Sequence, residues 1–427
     1  MFTEKEARDL GAWYRENRRD LPWRDTGDPE DVWISEIMLQ QTRVEAVKGY
    51  FTRFRAALPD ARAIAACPDD ALMKLWEGLG YYSRARNLKK CAEELVARYD
   101  GKLPADHDAL RALPGIGDYT AGAIASIAFG IPVPAVDGNV LRVWARVNGY
   151  ADDVALPATK KRFTAEIASL LDRLFPVTEA VPAENAFAGT AFSGSAPAGK
   201  TSAAPGEPTL TPSVFTQSLM ELGAVVCVPN GAPSCPACPI RESCEAFLGG
   251  TTGSIPFRSP KKARRIEERT ILVIRDGSRF LFRKRPGTGL LAGLWEFPGV
   301  PGHLDEDAAL KAAVALGFEP LRIRVLPDGK HIFTHIEWRM RAYEIRVASF
   351  REYDEEFRGG TAGVPEHEAG LRSNTAGVPE HEAGLRTGDT DSEETSGTYR
   401  LITRDGLRSF AVPSAFRTWT DWYALKE

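Results

Sequence analysis

The chain has 427 residues, 43% of them hydrophobic, with 54 Lys and Arg against 58 Asp and Glu for a net charge of −4. That length leaves room for two or three domains, and the apolar fraction excludes a wholly disordered protein. With no excess of positive charge, any affinity for nucleic acid must come from local patches and backbone amides rather than from a basic protein as a whole.

The first residues, Met1-Phe-Thr-Glu-Lys-Glu, carry no basic stretch leading into an apolar run, so no signal peptide is expected. No run of about 18 apolar residues is present, so no membrane span is expected either. An intracellular, cytoplasmic chain follows as the expectation. His107 is the only histidine before residue 300, which argues against a histidine-based metal site or a Ser–His–Asp triad in the first half.

Residues 1–178 read as dense helix. Apolar positions recur three to four residues apart over Glu4–Arg18, Val32–Phe54, Asp69–Glu77, Arg84–Tyr99, Tyr119–Phe129 and Gly138–Val147, with Pro, Gly or Asp at the joins. Residues 179–212 change to Ala, Ser, Gly and Pro and read as a flexible low-complexity insertion. Helical periodicity returns at Ser213–Gly223 and leads into a cysteine-rich segment ending at 248. Residues 249–268 read as a linker with the basic run Lys261-Lys-Ala-Arg-Arg. From 269 to 424 β-branched and alternating segments appear (Thr270–Ile274, Arg279–Lys284, Arg339–Val347), with a helix over Asp307–Leu316. This predicts a mixed α and β domain. A direct repeat, TAGVPEHEAGLR at 361–372 and again at 375–386, lies within a stretch, 359–398, that reads as a duplicated, disordered surface loop.

Four of the six cysteines are crowded together as Cys227-x7-Cys235-x2-Cys238-x5-Cys244. Thiolates at such spacing suit zinc or an iron–sulfur centre, and spacing alone does not choose between them. Cys67 and Cys91 fall on helical patterns and read as core residues. Between two helical stretches lies Leu113-Pro-Gly-Ile-Gly-Asp-Tyr-Thr-Ala-Gly-Ala-Ile (113–124). Gly115 and Gly117 there permit a tight turn that presents amides to a phosphate. Two carboxylates complete the set. Glu36 sits in the apolar helix VWISEIMLQQ, where burial would raise its pKa and keep it protonated as a general acid. Asp137 sits just before a helix, where an ionised carboxylate is favoured. One protonated and one ionised carboxylate is a pairing that glycoside cleavage uses.

Six segments together, VWISEIMLQQTRV (32–44), LWEGLGYYSRARNL (75–88), LPGIGDYTAGAI (113–124), VDGNVLRV (136–143), the cysteine cluster and LLAGLWEFPG (290–299), resemble the MutY family of adenine DNA glycosylases within the helix–hairpin–helix superfamily. The resemblance implies an all-α helix–hairpin–helix core with an iron–sulfur module, and a C-terminal α+β Nudix-like domain. It makes a [4Fe–4S] cluster the expected centre at Cys227, Cys235, Cys238 and Cys244, although the family usually has six residues between the first two cysteines and this chain has seven. Glu36 matches the acid that protonates adenine at N7, and Asp137 matches the carboxylate that stabilises the oxocarbenium-like sugar. Tyr119 and Asn139 match supporting residues. Gln41, Thr42, Leu79 and Tyr81 match positions that meet the damaged guanine, with Leu79 or Tyr81 as a wedge into the base stack. Endonuclease III-like lyases place a nucleophilic Lys where this chain has Tyr119, so a monofunctional enzyme is expected. The implied partner is double-stranded DNA carrying adenine opposite 8-oxoguanine or guanine, bound by a monomer associated with the nucleoid.

The Nudix-like segment lacks the Arg-Glu-x2-Glu-Glu that holds magnesium in hydrolytic relatives: after Gly299 the chain reads VPGHLDEDAALKAAV. Nucleotide hydrolysis is therefore not expected. Phe333-Thr334-His335 resembles the family's Phe-Ser-His loop that contacts 8-oxoguanine, with Thr keeping the hydroxyl.

Overall fold

The computed structural model describes residues 2–176, 209–260, 263–277, 279–350, 399–408 and 410–425. The repeat at 361–386, the loop 359–398 and positions 179–208 of the expected insertion lie outside them. The chain forms two compact units, Met1–Lys262 and Ala263–Glu427.

The described part of the first unit is helical. Its elements are α1 (Glu4–Asn17), α2 (Pro29–Leu39), α3 (Val44–Ala57), α4 (Ala61–Ala66), α5 (Asp69–Leu75), α6 (Ser83–Arg98), α7 (His107–Arg111), α8 (Asp118–Phe129), α9 (Gly138–Val147), α10 (Pro157–Leu174), α11 (Pro212–Val225) and α12 (Glu245–Leu248). Helix α2 is buried almost all round, from Trp33 through Met38. So is α8, from Thr120 through Ser126. These two apolar helices pack on each other, and α11 packs on α1, α8 and α9. Gly122 permits close approach of the chain to α8: a Cβ there would lie 2.2 Å from the Pro134 carbonyl oxygen. At Gly223, a Cβ would lie 2.6 Å from Asn139 Cβ, so α11 abuts the start of α9.

One expected helix is two. The periodicity over Val32–Phe54 is interrupted after Leu39, and α3 starts only at Val44. Gln41 takes a left-handed φ of 57°. The guanidinium of Arg84 on α6 donates to the carbonyls of Ile37, Met38 and Gln40. A long-range donor thus satisfies the orphan carbonyls of a helix end, which apolar spacing alone does not reveal.

The second unit begins inside the segment read as a linker. Strands β1 (Arg265–Asp276), β2 (Arg279–Lys284), β3 (Trp295–Glu296), β4 (Gly299–Pro301), β5 (Pro320–Ile332), β6 (Ile336–Val347) and β7 (Tyr399–Thr403) form one sheet. Its order is β3-β2-β1-β6-β5, with β4 also pairing β1 and β7 pairing β2. Among the described strands, only the β1–β6 pair is parallel. Side-chain alternation sends Ile271, Val273, Phe280 and Phe282 to one face, against Trp419 of α14 (Arg417–Leu425). Leu272, Ile274 and Leu281 face the other way, toward α13 (Glu306–Ala315). The long strand β5 was not apparent in the sequence. It contains Pro320 and Gly329 and has register breaks at Pro320/Arg322 and Leu326/Gly329, as an edge strand tolerates. Gly329 lets the Trp419 ring close on the strand, since a Cβ would meet it at 2.7 Å.

Candidate active site

Glu36 lies on α2 and is 8% exposed. Tyr119, in the first turn of α8, donates its hydroxyl to Glu36 Oε2 at 2.6 Å. Burial raises the Glu36 pKa to about 7, the Tyr119 hydrogen bond opposes the rise, and the charge of Asp137 adds to it. Burial also drives the Tyr119 phenol well above its ordinary value, assisted by Glu36 and Asp137.

Asp137 is the N-cap of α9. Its Oδ1 accepts from the Val140 amide at 2.7 Å and its Oδ2 from the Asn139 side chain at 2.8 Å. The helix terminus favours the ionised form, as the sequence led us to expect, but burial is the larger influence and the pKa is raised. The Val140 and Asn139 donors and the charge of Arg142 hold that rise down. The two carboxyls thus differ in how burial is opposed: Glu36 has one hydroxyl donor and the charge of Arg24, whereas Asp137 has the Val140 amide, the Asn139 side chain and amide, and the charge of Arg142.

Arg142, which sequence reasoning passed over, organises this corner. It donates to Asn139 Oδ1 at 2.8 Å, which fixes the amide so that its nitrogen faces Asp137. It also donates to the carbonyls of Gly223 and Cys227, each at 2.6 Å. The signal was available in principle, since position 142 falls one turn after Asn139 on a helix with one apolar face. A buried ion triad lies on α11: Glu221, 1% exposed, accepts from Arg19 and Arg24 at 2.8 Å.

Cys227, Cys235, Cys238 and Cys244 line one pocket together with Arg146 and Arg241. Arg146 donates to Cys227 Sγ at 3.3 Å. Among the described residues, no three His, Cys, Asp or Glu side chains converge as a single-ion site. The seven residues between Cys227 and Cys235 include an exposed bend at 229–232, where Gly231 has φ 79°. The Ser234 amide closes that bend on the Val226 carbonyl at 2.9 Å. The Ile255 carbonyl accepts from Arg146 at 2.7 Å, so part of the segment read as linker is fastened to α9.

The hairpin joins α7 to α8. Gly115 has φ 77°, and Gly117 is the N-cap of α8 with no side-chain cap and open space where a Cβ would stand. Gln41 and Thr42 occupy the α2–α3 joint, and Leu79 and Tyr81 the turn before α6. Of the two wedge candidates, Leu79 is buried at 7% and Tyr81 is 45% exposed. In the second unit, Phe333-Thr334-His335 forms the tip of the β5–β6 hairpin, closed by the Phe333 amide donating to the Ile336 carbonyl at 2.8 Å. Phe333 packs between His331 and Trp338, while Thr334 and His335 are exposed. The unit holding the paired carboxylates is thus separate from the one carrying this hairpin. Helix α13 carries Glu306 and Asp307 in its first turn and no acidic residue beyond them.

The helical core, its glycine hairpin and its paired buried carboxyls define a DNA base-excision protein: residues 34–172 match the HhH-GPD superfamily base excision DNA repair protein family, and 270–371 match the NUDIX domain. The mouse (Mus musculus) adenine DNA glycosylase is 32% identical over 396 residues, covering 79% of this chain and 70% of that protein. Adenine DNA glycosylase of Arabidopsis thaliana is 33% identical over 422 residues, covering 85% of this chain and 61% of its own. A solved thermostable thymine-DNA glycosylase aligns with TM-score 0.45 and 25% identity, over 57% of this chain and 98% of its own. The chain belongs to the adenine DNA glycosylase family. Among the described residues no helix is long and apolar enough to cross a membrane.

Proposed function

We propose that the protein is a monofunctional DNA glycosylase that removes adenine from opposite 8-oxoguanine or guanine and leaves an abasic site. The observation that carries this reading is the Tyr119–Glu36 hydrogen bond of 2.6 Å beside the capped Asp137. The adenine must first leave the base stack, at a cost of a few kcal/mol. The Glu36 carboxyl then donates its proton to N7, and the C1′–N9 bond breaks as adenine departs with its electron pair. Asp137, oriented by Asn139, stabilises the cationic sugar, through a transient covalent bond as the family resemblance implies. Water then adds its hydroxyl to C1′ as the C1′–Asp137 bond breaks and releases the carboxylate, and the water's other proton returns Glu36 to the acid form. Tyr119 offers no amine for a Schiff base, so strand cleavage by the enzyme itself is not part of the reaction.

Gln41, Thr42 and Tyr81 would face the base opposite the flipped adenine, with Leu79 supporting their turn from the core. Gly115 and Gly117 would present amides to a backbone phosphate. Phe333, Thr334 and His335 would read 8-oxoguanine through the Thr334 hydroxyl. The four cysteines would hold a [4Fe–4S] cluster. Their soft thiol donor set, gathered around one pocket, suits an iron–sulfur centre. The cluster's contribution would be to clamp the loop next to α9 and α11. Replacing one ligand, Cys238→Ser, should abolish the visible absorbance and the iron content of about four atoms per chain. Colourless wild-type protein carrying about one zinc would refute the cluster.

The functional test uses three duplexes: adenine opposite 8-oxoguanine, adenine opposite guanine, and thymine glycol opposite adenine. Cleavage of the adenine strand only after alkali is the expected result. Cutting of the thymine glycol strand without alkali would overturn the proposal in favour of a glycosylase/lyase.

A further inference from the structure

Arg84 is a buried cation, 6% exposed, for which no carboxylate ion pair is present among the described residues. Its hydrogen bonds go to neutral oxygens on two separate segments. On one side Nη1 donates to the carbonyls of Ile37 (3.0 Å), Met38 (2.7 Å) and Gln40 (2.7 Å), and Nη2 donates to the Thr42 hydroxyl (3.1 Å). On the other, Nη2 donates to the carbonyls of Leu79 (3.2 Å) and Gly80 (3.0 Å), and Nε to that of Tyr81 (3.4 Å). The guanidinium also lies over the Trp76 ring at 5.4 Å and the Tyr81 ring at 5.5 Å.

The two segments share a further property. Gln41 (φ 57°) and Tyr81 (φ 47°) are two of the five non-glycine residues with positive φ among those described. Such a conformation is strained for a residue with a side chain and persists only where the surroundings impose it. The same side chain donates to oxygens beside Gln41, at Gln40 and Thr42, and at Gly80 and Tyr81. Burial lowers the Arg84 pKa to about 10, so the chain carries a desolvated charge where an apolar side chain of similar volume would often serve stability equally well. What an apolar side chain cannot supply is a planar fork of donors that fixes two loops in register with each other.

We propose that Arg84 is a positioning residue that locks the α2–α3 joint and the 78–81 turn into one rigid reader of the base opposite the excised adenine. This rests on the proposed function, in which Gln41, Thr42 and Tyr81 face that base. Pre-ordering the two loops lowers the entropic cost of inserting Tyr81 into a duplex, and holds Gln41 at a fixed offset from it. Lysine keeps the charge but, as a compact ammonium, cannot bridge both sets of carbonyls.

The experiment compares the full-length protein with Arg84→Lys on duplexes bearing a tetrahydrofuran abasic analogue opposite 8-oxoguanine, guanine or thymine. Dissociation constants are measured for each, beside adenine release from the 8-oxoguanine duplex. The expected result is a preference for 8-oxoguanine over thymine reduced at least tenfold. A purely structural role would lower the active fraction equally for all three duplexes and leave that ratio unchanged. A ratio within twofold of the parent overturns the proposal. Arg84→Gln, which retains a planar donor without charge, provides the same ratio if the lysine variant does not fold. If the parent does not release adenine, the proposed function fails; if it does and the ratio is unmoved, only the role of Arg84 fails.

Discussion

Glu36→Gln is expected to slow single-turnover adenine release by roughly a hundred- to ten-thousand-fold, the range for loss of a positioned general acid. The amide is nearly isosteric and still accepts from the Tyr119 hydroxyl that lies 2.6 Å from Oε2 in the parent, so binding of the mispaired duplex should change little. With a Glu36 pKa of about 7, the parent rate should hold on the acid side and fall as pH rises through about 7, because the acid is lost by ionisation. The variant's residual rate should lack this limb. Retention of the alkaline fall in Glu36→Gln would assign it to another group.

The same shift has a consequence for stability. The folded pKa is raised above the ordinary glutamate value of 4.5 to about 7. The folded state therefore binds this proton more tightly than the unfolded chain does. That stabilisation is complete below 4.5 and is lost as pH rises to about 7. At pH 8 the glutamine variant should be the more stable protein, by about 3 kcal/mol. Denaturant unfolding at pH 5 and pH 8 would show it as a difference that widens with pH. Activity and stability thus make opposite demands on one side chain, as expected of a catalytic group kept in an apolar helix.

Glu221→Gln should have the largest effect on the fold. The Glu221 carboxylate, 1% exposed, accepts from Arg19 and Arg24 at 2.8 Å, and from the Arg19 backbone amide at 2.9 Å. Burial opposes its ionisation, but the two arginines prevail and bring its pKa down to about 2. Removing the charge leaves two guanidinium groups facing a neutral amide, a loss of about 3–5 kcal/mol for a broken buried pair. In a unit of this size that corresponds to a fall in Tm of roughly 6–20 °C. For the parent, this group's contribution is present above 4.5 and is lost as pH falls toward about 2, so the gap between parent and variant should close on acidification. A Tm within about 2 °C of the parent at neutral pH would mean that water or a neighbour compensates the arginines.

The sequence determined the kinds of structure and the chemistry on offer. Periodicity of 3.6 located α9 at Gly138–Val147, and alternation located β2 at Arg279–Lys284, with the bounds the structure has. Residue type marked Glu36 and Asp137 as an acid–base pair, because an acid inside an apolar helix and an Asp before a helix are local signals, whereas Tyr119 entered only through the family resemblance. The four thiols announced themselves by spacing. Tertiary structure alone decided what no local pattern encodes. It broke the expected helix over 32–54 at Gln41, since Arg84, more than forty residues away, collects the carbonyls of the α2 end. It buried Leu79 and exposed Tyr81 two positions on, because the turn's left-handed residues set which side chain faces outward. It made a strand of Pro320–Ile332, whose two prolines and glycine argue against a strand until an edge position and Trp419 accommodate them. Above all, it brought Tyr119 of α8 against Glu36 of α2, 83 residues apart in the chain, and buried Asp137 deeply enough to raise its pKa despite the local donors at Asn139 and Val140. Desolvation and long-range hydrogen bonds depend on what the fold brings near, and a linear chain carries neither.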